Sequence, residues 1–213
     1  MIKAVLWDLD GVLVDTGSFH FEAWRELFES EGKEISEEEF RRTFGLRNDA
    51  ILRDILGDLP PQKMEDLSRR KEEMFRAKIG GRISPMPGVS ALLERLRQAR
   101  KRMAVVSSAP RGNVETILCI LGIEGFFELI IAEEDASRGK PDPQGYLLAA
   151  QRLGVKPSEC VVIEDAPGGV EAAKRAGMRC LGLAAERAPE ALSKADLVVR
   201  SLEEEAVPRF LDA

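Results

Sequence analysis

Apolar and polar positions follow two regimes along this chain. Ala4 to Trp7 is an unbroken apolar run, which predicts a buried strand. After Thr16 the period lengthens. Phe19, Phe21, Trp24, Leu27 and Phe28 recur mostly at helical spacing, with Glu22, Arg25, Glu26 and Glu29 between them. Ser36 followed by Glu39 has the form of a capping box and opens a helix through Phe44. Ala50 to Leu56 is a further helical run, stopped by Gly57. Lys63 to Ile79 is a longer one, stopped by Gly80-Gly81. From Gly17 to about Ile83 the pattern is helical throughout.

From Pro87-Gly88 onward the two periods alternate. The pattern predicts helices over Val89 to Arg100, Asn113 to Leu121, Gln144 to Leu153 and Gly168 to Ala176. Between them lie short apolar strands: Met103 to Ser107, Leu129 to Ala132, Cys160 to Ile163 and Arg179 to Leu183. Leu197 to Val199 makes a sixth strand, and Ser201 to Ala213 a short closing helix. Continuous Val/Ile/Leu strands alternating with helices imply an α/β fold, a doubly wound parallel Rossmann-like sheet covered on both faces. Residues 1–14 and 88–213 form this domain, and residues 15–87 form an all-helical module inserted after the first strand. Placed there, the module is expected to overhang the carboxyl end of that strand.

Composition narrows the function. A chain of 213 residues with 44% hydrophobic content has ample core. The formal net charge of −6 excludes a general nucleic-acid binder, which needs a basic surface. No apolar run approaches the ~18–20 residues of a membrane span. The N-terminus runs directly into a strand, so no leader is expected. Cys119, Cys160 and Cys180 lack metal-ligand spacing and sit among apolar residues. They are expected to be buried thiols of a cytoplasmic monomer.

The candidate chemistry lies at the strand ends. Asp8 and Asp10 follow the first strand two residues apart, a spacing that points both to one side of an extended chain. The second strand ends in Ser107-Ser108, whose hydroxyls suit an anionic oxygen. Lys140 lies in a loop fixed by Pro141 and Pro143. Glu164-Asp165 close the fourth strand. Each has a plain structural reading: turn formers, a turn or cap serine, a solvated lysine, an N-cap. Together they would gather up to four carboxylates at one sheet edge, where ligands of such folds bind. Burying even one uncompensated charge costs several kcal/mol, so a divalent cation is implied. All-oxygen ligands favour Mg²⁺, held by Asp8, Asp10, Glu164 and Asp165. Lys140 and Ser107 complete an anion pocket. A carboxylate, a cation, a hydroxyl and a metal around one point suit phosphoryl transfer.

The run Asp8-Leu9-Asp10-Gly11 to Asp15-Thr16, with Ser107, Lys140 and Glu164-Asp165 in order, resembles the haloacid dehalogenase-like (HAD) superfamily over essentially the whole chain. The inserted helices resemble its cap. The resemblance implies a nucleophilic Asp8 that carries phosphate transiently. It also implies an Asp10 that protonates the leaving oxygen and then activates water. The Mg²⁺ would rest on Asp8, the Asp10 carbonyl and the acids at 164 and 165. True dehalogenases lack the second Asp. Asp15-Thr16, His20 and Trp24 resemble the β-phosphoglucomutase-like branch, where His20 would couple cap closure to Asp10. Gly45 to Asp49 resembles that branch's substrate loop, with Arg47 one position early, and Lys71 matches a mutase lysine. Thr16, His20, Trp24, Arg47, Lys71 and Ser108 are therefore the candidate substrate contacts. The displaced arginine favours a phosphatase acting on a small phosphorylated metabolite, a sugar phosphate, over a β-phosphoglucomutase. A receiver-like phospho-signalling module shares the acidic site but is shorter and has no insertion.

Overall fold

The computed structural model describes residues 1–43, 46–185 and 188–212. Six strands form one parallel sheet. They are β1 (Ala4–Trp7), β2 (Arg102–Val106), β3 (Leu129–Ile131), β4 (Cys160–Glu164), β5 (Arg179–Leu183) and β6 (Leu197–Val199). Their order is β3-β2-β1-β4-β5-β6. The chain thus starts at the centre, winds to one edge, then returns to the other side of β1. The crevice at the carboxyl ends of β1, β2 and β4 is the topological switch point of such a sheet.

Burial explains why these strands lack polar alternation. Ala4, Leu6, Ala104, Val106, Cys160 and Val162 face one apolar cluster. Tyr146, Ala149, Ala150 and Leu153, from helix α7 (Gln144–Arg152) and its end, share that cluster. So do Val170, Ala172 and Ala173 from helix α8 (Pro167–Arg175). Val5, Trp7, Val105, Val161 and Ile163 point the opposite way and are equally buried. Both faces are covered, as the unbroken apolar runs require.

The remaining α-helices among the described residues are α1 (Gly17–Ser30), α2 (Glu37–Thr43), α3 (Asn48–Leu56), α4 (Pro61–Ile79), α5 (Val89–Gln98), α6 (Arg111–Leu121) and α9 (Ala206–Asp212). The chain divides into two compact units. One is Met1–Asp15 with Ser84–Ala213; the other is Thr16–Ile83. The second unit contains α1 to α4 around its own core of Trp24, Leu27, Phe28, Phe40, Ile51, Leu52 and Leu67. Its capping box is real: the Ser36 amide donates to the Glu39 carboxylate at 2.9 Å, and the Glu39 amide donates to Ser36 Oγ at 3.2 Å. The expected end of that helix at Phe44, the Gly45 start of the next loop and the final Ala213 lie outside the described residues.

One thiol departs from expectation. Cys160 and Cys180 are buried, but Cys119 is exposed. Ile117 and Leu118 of α6 turn inward, which leaves Cys119 on the outer face. No helix among the described residues is long and apolar enough to cross a membrane.

Candidate active site

Chain geometry after β1 differs from a simple extended strand. The strand ends at Trp7, and the Asp8 amide donates to the Ile163 carbonyl at 3.0 Å, which anchors Asp8 against β4. The chain then folds back. The Leu13 amide reaches the Leu9 carbonyl at 2.9 Å, and the Gly11 amide reaches the Val14 carbonyl at 2.8 Å. Gly11 turns with φ of 83°, and a Cβ there would lie 2.5 Å from Asp165 Oδ2. A side chain at position 11 is therefore excluded twice, by conformation and by space. The turn directs the chain away from the sheet directly after Asp10.

Three carboxylates do converge. Asp8, Glu164 and Asp165 each offer an oxygen, and these oxygens lie within 4.8 Å of one another. The Asp10 carboxylate lies outside that cluster. Lys140 is placed against the group by the loop after β3. Its ammonium donates to Asp8 Oδ1, to Glu164 Oε1 at 2.6 Å and to the Val106 carbonyl at 3.2 Å. All three of its protons have acceptors.

Electrostatics follow from burial. Burial raises the Asp8 carboxyl well above its ordinary value; Lys140 opposes this, and Glu164 and Asp165 add to it. For Lys140, burial works against the charged form, but Asp8 and Glu164 outweigh it and hold the ammonium firmly protonated. An all-oxygen cluster of this kind suits a hard divalent cation such as Mg²⁺.

Glu164 is fully occupied. Its Oε1 accepts from Lys140 and from the Tyr146 hydroxyl at 2.7 Å. Its Oε2 accepts from the amides of Asp165 and Ala166 at 3.1 and 3.2 Å. Gly169 on α8 opens the space: a Cβ there would overlap the Glu164 carboxyl. Neither Tyr146 nor Gly169 was picked out by sequence pattern. A tyrosine on the inner face of a helix reads as core, although its position six residues after Lys140 was the available signal.

Ser107 follows β2, and its amide donates to the Ile131 carbonyl at 2.9 Å. Its Oγ accepts from the Ala109 amide at 3.0 Å, so the turn role and an outward hydroxyl coexist. Ser108 is half-buried in the same loop. Asp165 is not a helix cap; α8 starts after Ala166 with no side-chain cap.

Five of the other six candidates fall in the helical unit with described surroundings. Thr16 is buried at the start of α1, and its carbonyl accepts from the His20 amide at 3.0 Å. The His20 ring stacks on Phe75, with centroids 3.8 Å apart. Lys71 Nζ lies 2.8 Å from His20 Nδ1 and 2.9 Å from Glu72 Oε1. Asn48 Nδ2 donates to the same Glu72 oxygen at 2.7 Å. Trp24 is a core residue, 1% exposed, with Lys71 Nζ 5.0 Å from its ring centroid. Arg47 is half-buried and precedes α3. Glu72 escaped sequence reasoning because a charged helix residue reads as solvated, and Asn48 was read only as part of the loop Gly45 to Asp49.

Residues 2–177 match the family profile described as haloacid dehalogenase-like hydrolase. This chain belongs to that family. The validoxylamine A 7′-phosphate phosphatase of Streptomyces hygroscopicus subsp. limoneus is 35% identical, over 99% of both chains. A phosphorylated carbohydrates phosphatase of Thermotoga maritima is 35% identical, over 83% of this chain and 82% of its own. Among solved structures, a β-phosphoglucomutase from Clostridium difficile superposes with a TM-score of 0.91 at 27% identity, covering 99% of this chain and 97% of its own.

The buried network in the helical unit generates a pH prediction. Burial pulls the Glu72 carboxyl up, but Lys71, His20 and Asn48 together hold it below its ordinary value. A carboxyl that titrates lower when folded contributes stability above its unfolded value and loses it as pH falls through the folded one. Glu72→Gln is expected to cost about 3 kcal/mol at neutral pH, because it removes the negative charge that compensates the buried Lys71 ammonium. Denaturant titrations of both proteins should show that difference closing under acid, where wild-type Glu72 is itself protonated.

Proposed function

We propose that this hydrolase is a Mg²⁺-dependent phosphatase of small phosphorylated metabolites, sugar phosphates in particular, working through a phosphoaspartate at Asp8. The observation that carries the reading is the Lys140 ammonium held against Asp8 beside Glu164 and Asp165 at the switch point of the sheet. The phosphatase relatives support it.

The chemistry follows from the groups. An Asp8 oxygen attacks phosphorus, and the bond from phosphorus to the ester oxygen breaks. Asp10 gives its proton to the departing oxygen. Asp10, now a carboxylate, takes a proton from water, whose oxygen attacks the same phosphorus. The bond to Asp8 then breaks and inorganic phosphate leaves. Lys140 and the Ser107 hydroxyl neutralise and orient phosphoryl oxygens, which is most of what phosphoryl transfer requires. Asp8, Asp165 and the Asp10 carbonyl are the groups that would hold the cation. When bound, it supplies the positive charge that favours ionised Asp8 and offsets the phosphate dianion. Glu164, expected among the ligands, has both oxygens committed to four donors and enters as the anchor of Lys140.

A second reading, β-phosphoglucomutase, is favoured by the likeness to the Clostridium difficile enzyme. The two activities share core residues and differ in whether water reaches the phosphoaspartate. In the substrate loop, Asn48 is buried on Glu72, and the neighbouring arginine is Arg47. That arrangement is our reason for preferring hydrolysis.

Asp8→Asn is expected to lower turnover of p-nitrophenyl phosphate by at least about 10³-fold while the circular-dichroism spectrum stays unchanged. Near-wild-type turnover would remove Asp8 as nucleophile. EDTA should abolish activity and added Mg²⁺ restore it; full activity in EDTA would remove the cation. Phosphate release from a panel of sugar phosphates is the expected outcome for wild-type protein. Conversion of β-glucose 1-phosphate to glucose 6-phosphate, with a bisphosphate primer, would instead establish the mutase.

A further inference from the structure

We infer that Tyr146 is a positioning residue for Lys140. The inference rests on the reading that Lys140 neutralises the transferring phosphoryl group.

Tyr146 is the only tyrosine in the chain, and it is completely enclosed in the first turn of α7. It touches the lysine site in two ways. Its hydroxyl donates to Glu164 Oε1, the same oxygen that accepts from Lys140. Its ring lies beneath the ammonium, with Nζ 5.2 Å from the centroid. Burial, with Glu164 and Asp8 nearby, keeps the phenol neutral and therefore a donor.

These contacts limit where the ammonium can sit. Glu164 Oε2 is fixed by two backbone amides, so the carboxyl plane is set from the α8 side. Tyr146 fixes Oε1 from the opposite element. The lysine then meets a stationary acceptor on one side, a π face on another, and Asp8 on a third. With phenylalanine at 146 the ring face persists, but Oε1 loses one of its two donors. The carboxyl then gains freedom to rotate, and the ammonium follows it away from Asp8. A small displacement at a reacting centre is costly in rate even when no contact to substrate is lost.

The test is a double-mutant cycle with Lys140→Met, because a residue that acts through a second loses its effect once the second is gone. Tungstate, a tetrahedral phosphoryl mimic, is titrated calorimetrically into wild type, Tyr146→Phe, Lys140→Met and the double variant. All four are held at saturating Mg²⁺. Tyr146→Phe is expected to weaken tungstate about 10-fold in the wild-type background, the scale of one hydrogen bond to a charged group. It should leave affinity unchanged in the Lys140→Met background. Hydrolysis of p-nitrophenyl phosphate should show the loss in kcat rather than in KM.

Equal weakening in both backgrounds would mean that Tyr146 merely supports the core, and that overturns the inference. So would no weakening in either. Tyr146→Met gives the same cycle should the phenylalanine variant not fold. The two readings separate cleanly. A wild type that neither binds tungstate nor hydrolyses the ester sinks the proposed function. A wild type that does both, with Tyr146→Phe matching it, sinks only the role of Tyr146.

Discussion

Everything in the α/β unit is arranged around the ion contacts of Lys140. Three carboxylates gathered in one crevice would repel one another, and their desolvation costs several kcal/mol each. One buried ammonium offsets one of them. Three negative charges less one positive leaves two, the charge of a single divalent cation. That remainder is a physical argument for a divalent cation that does not depend on family membership. It also explains why the lysine is tethered so completely, since a loosely held ammonium would leave Asp8 buried and neutral.

The topology makes such a gathering feasible at low conformational cost. Parallel strands all deliver their carboxyl ends to one edge, so residues distant in sequence arrive together without long loops. Asp8 is aligned by its amide on β4, and Ser107 by its amide on β3. Gly11 and Gly169 remove the two β-carbons that would collide with Asp165 and Glu164. The site is thus shaped by absent atoms as much as by charged ones.

The strands, their parallel arrangement and the helical insertion were legible because each imposes a period on the chain. Four apolar residues, Cys160 to Ile163, running straight into Glu164-Asp165 leave little choice but a buried strand ending in chemistry. Asp8 and Glu164 were legible because their charges fall at strand ends, and Lys140 because prolines follow it in the loop after β3. What the pattern missed was orientation. Asp10 was read as a fourth carboxylate of the cluster, whereas the acids whose oxygens lie within 4.8 Å of one another are Asp8, Glu164 and Asp165. Trp24 was read as a substrate contact, yet it packs in the core of the helical unit. Tyr146 and Glu72 were read as ordinary helix positions, because a one-dimensional pattern does not reveal which buried polar groups find each other across 18 or 24 residues.

The helical unit holds a second buried polar network built on the same logic as the first. A lysine is again clamped by a glutamate, and an aromatic face again lies near the ammonium. The difference lies in what the third partner is. In the α/β unit the lysine meets a reacting carboxylate; in the helical unit it meets an imidazole. That ring is held between the ammonium at Nδ1 and the face of Phe75, so its orientation is set from two sides. Glu72 ties the same network to Asn48, the first residue of α3 and the neighbour of Arg47. The histidine and the arginine loop are therefore fixed by one carboxylate. Removing Glu72 would therefore loosen both at once, whereas removing Lys140 acts on the α/β unit alone.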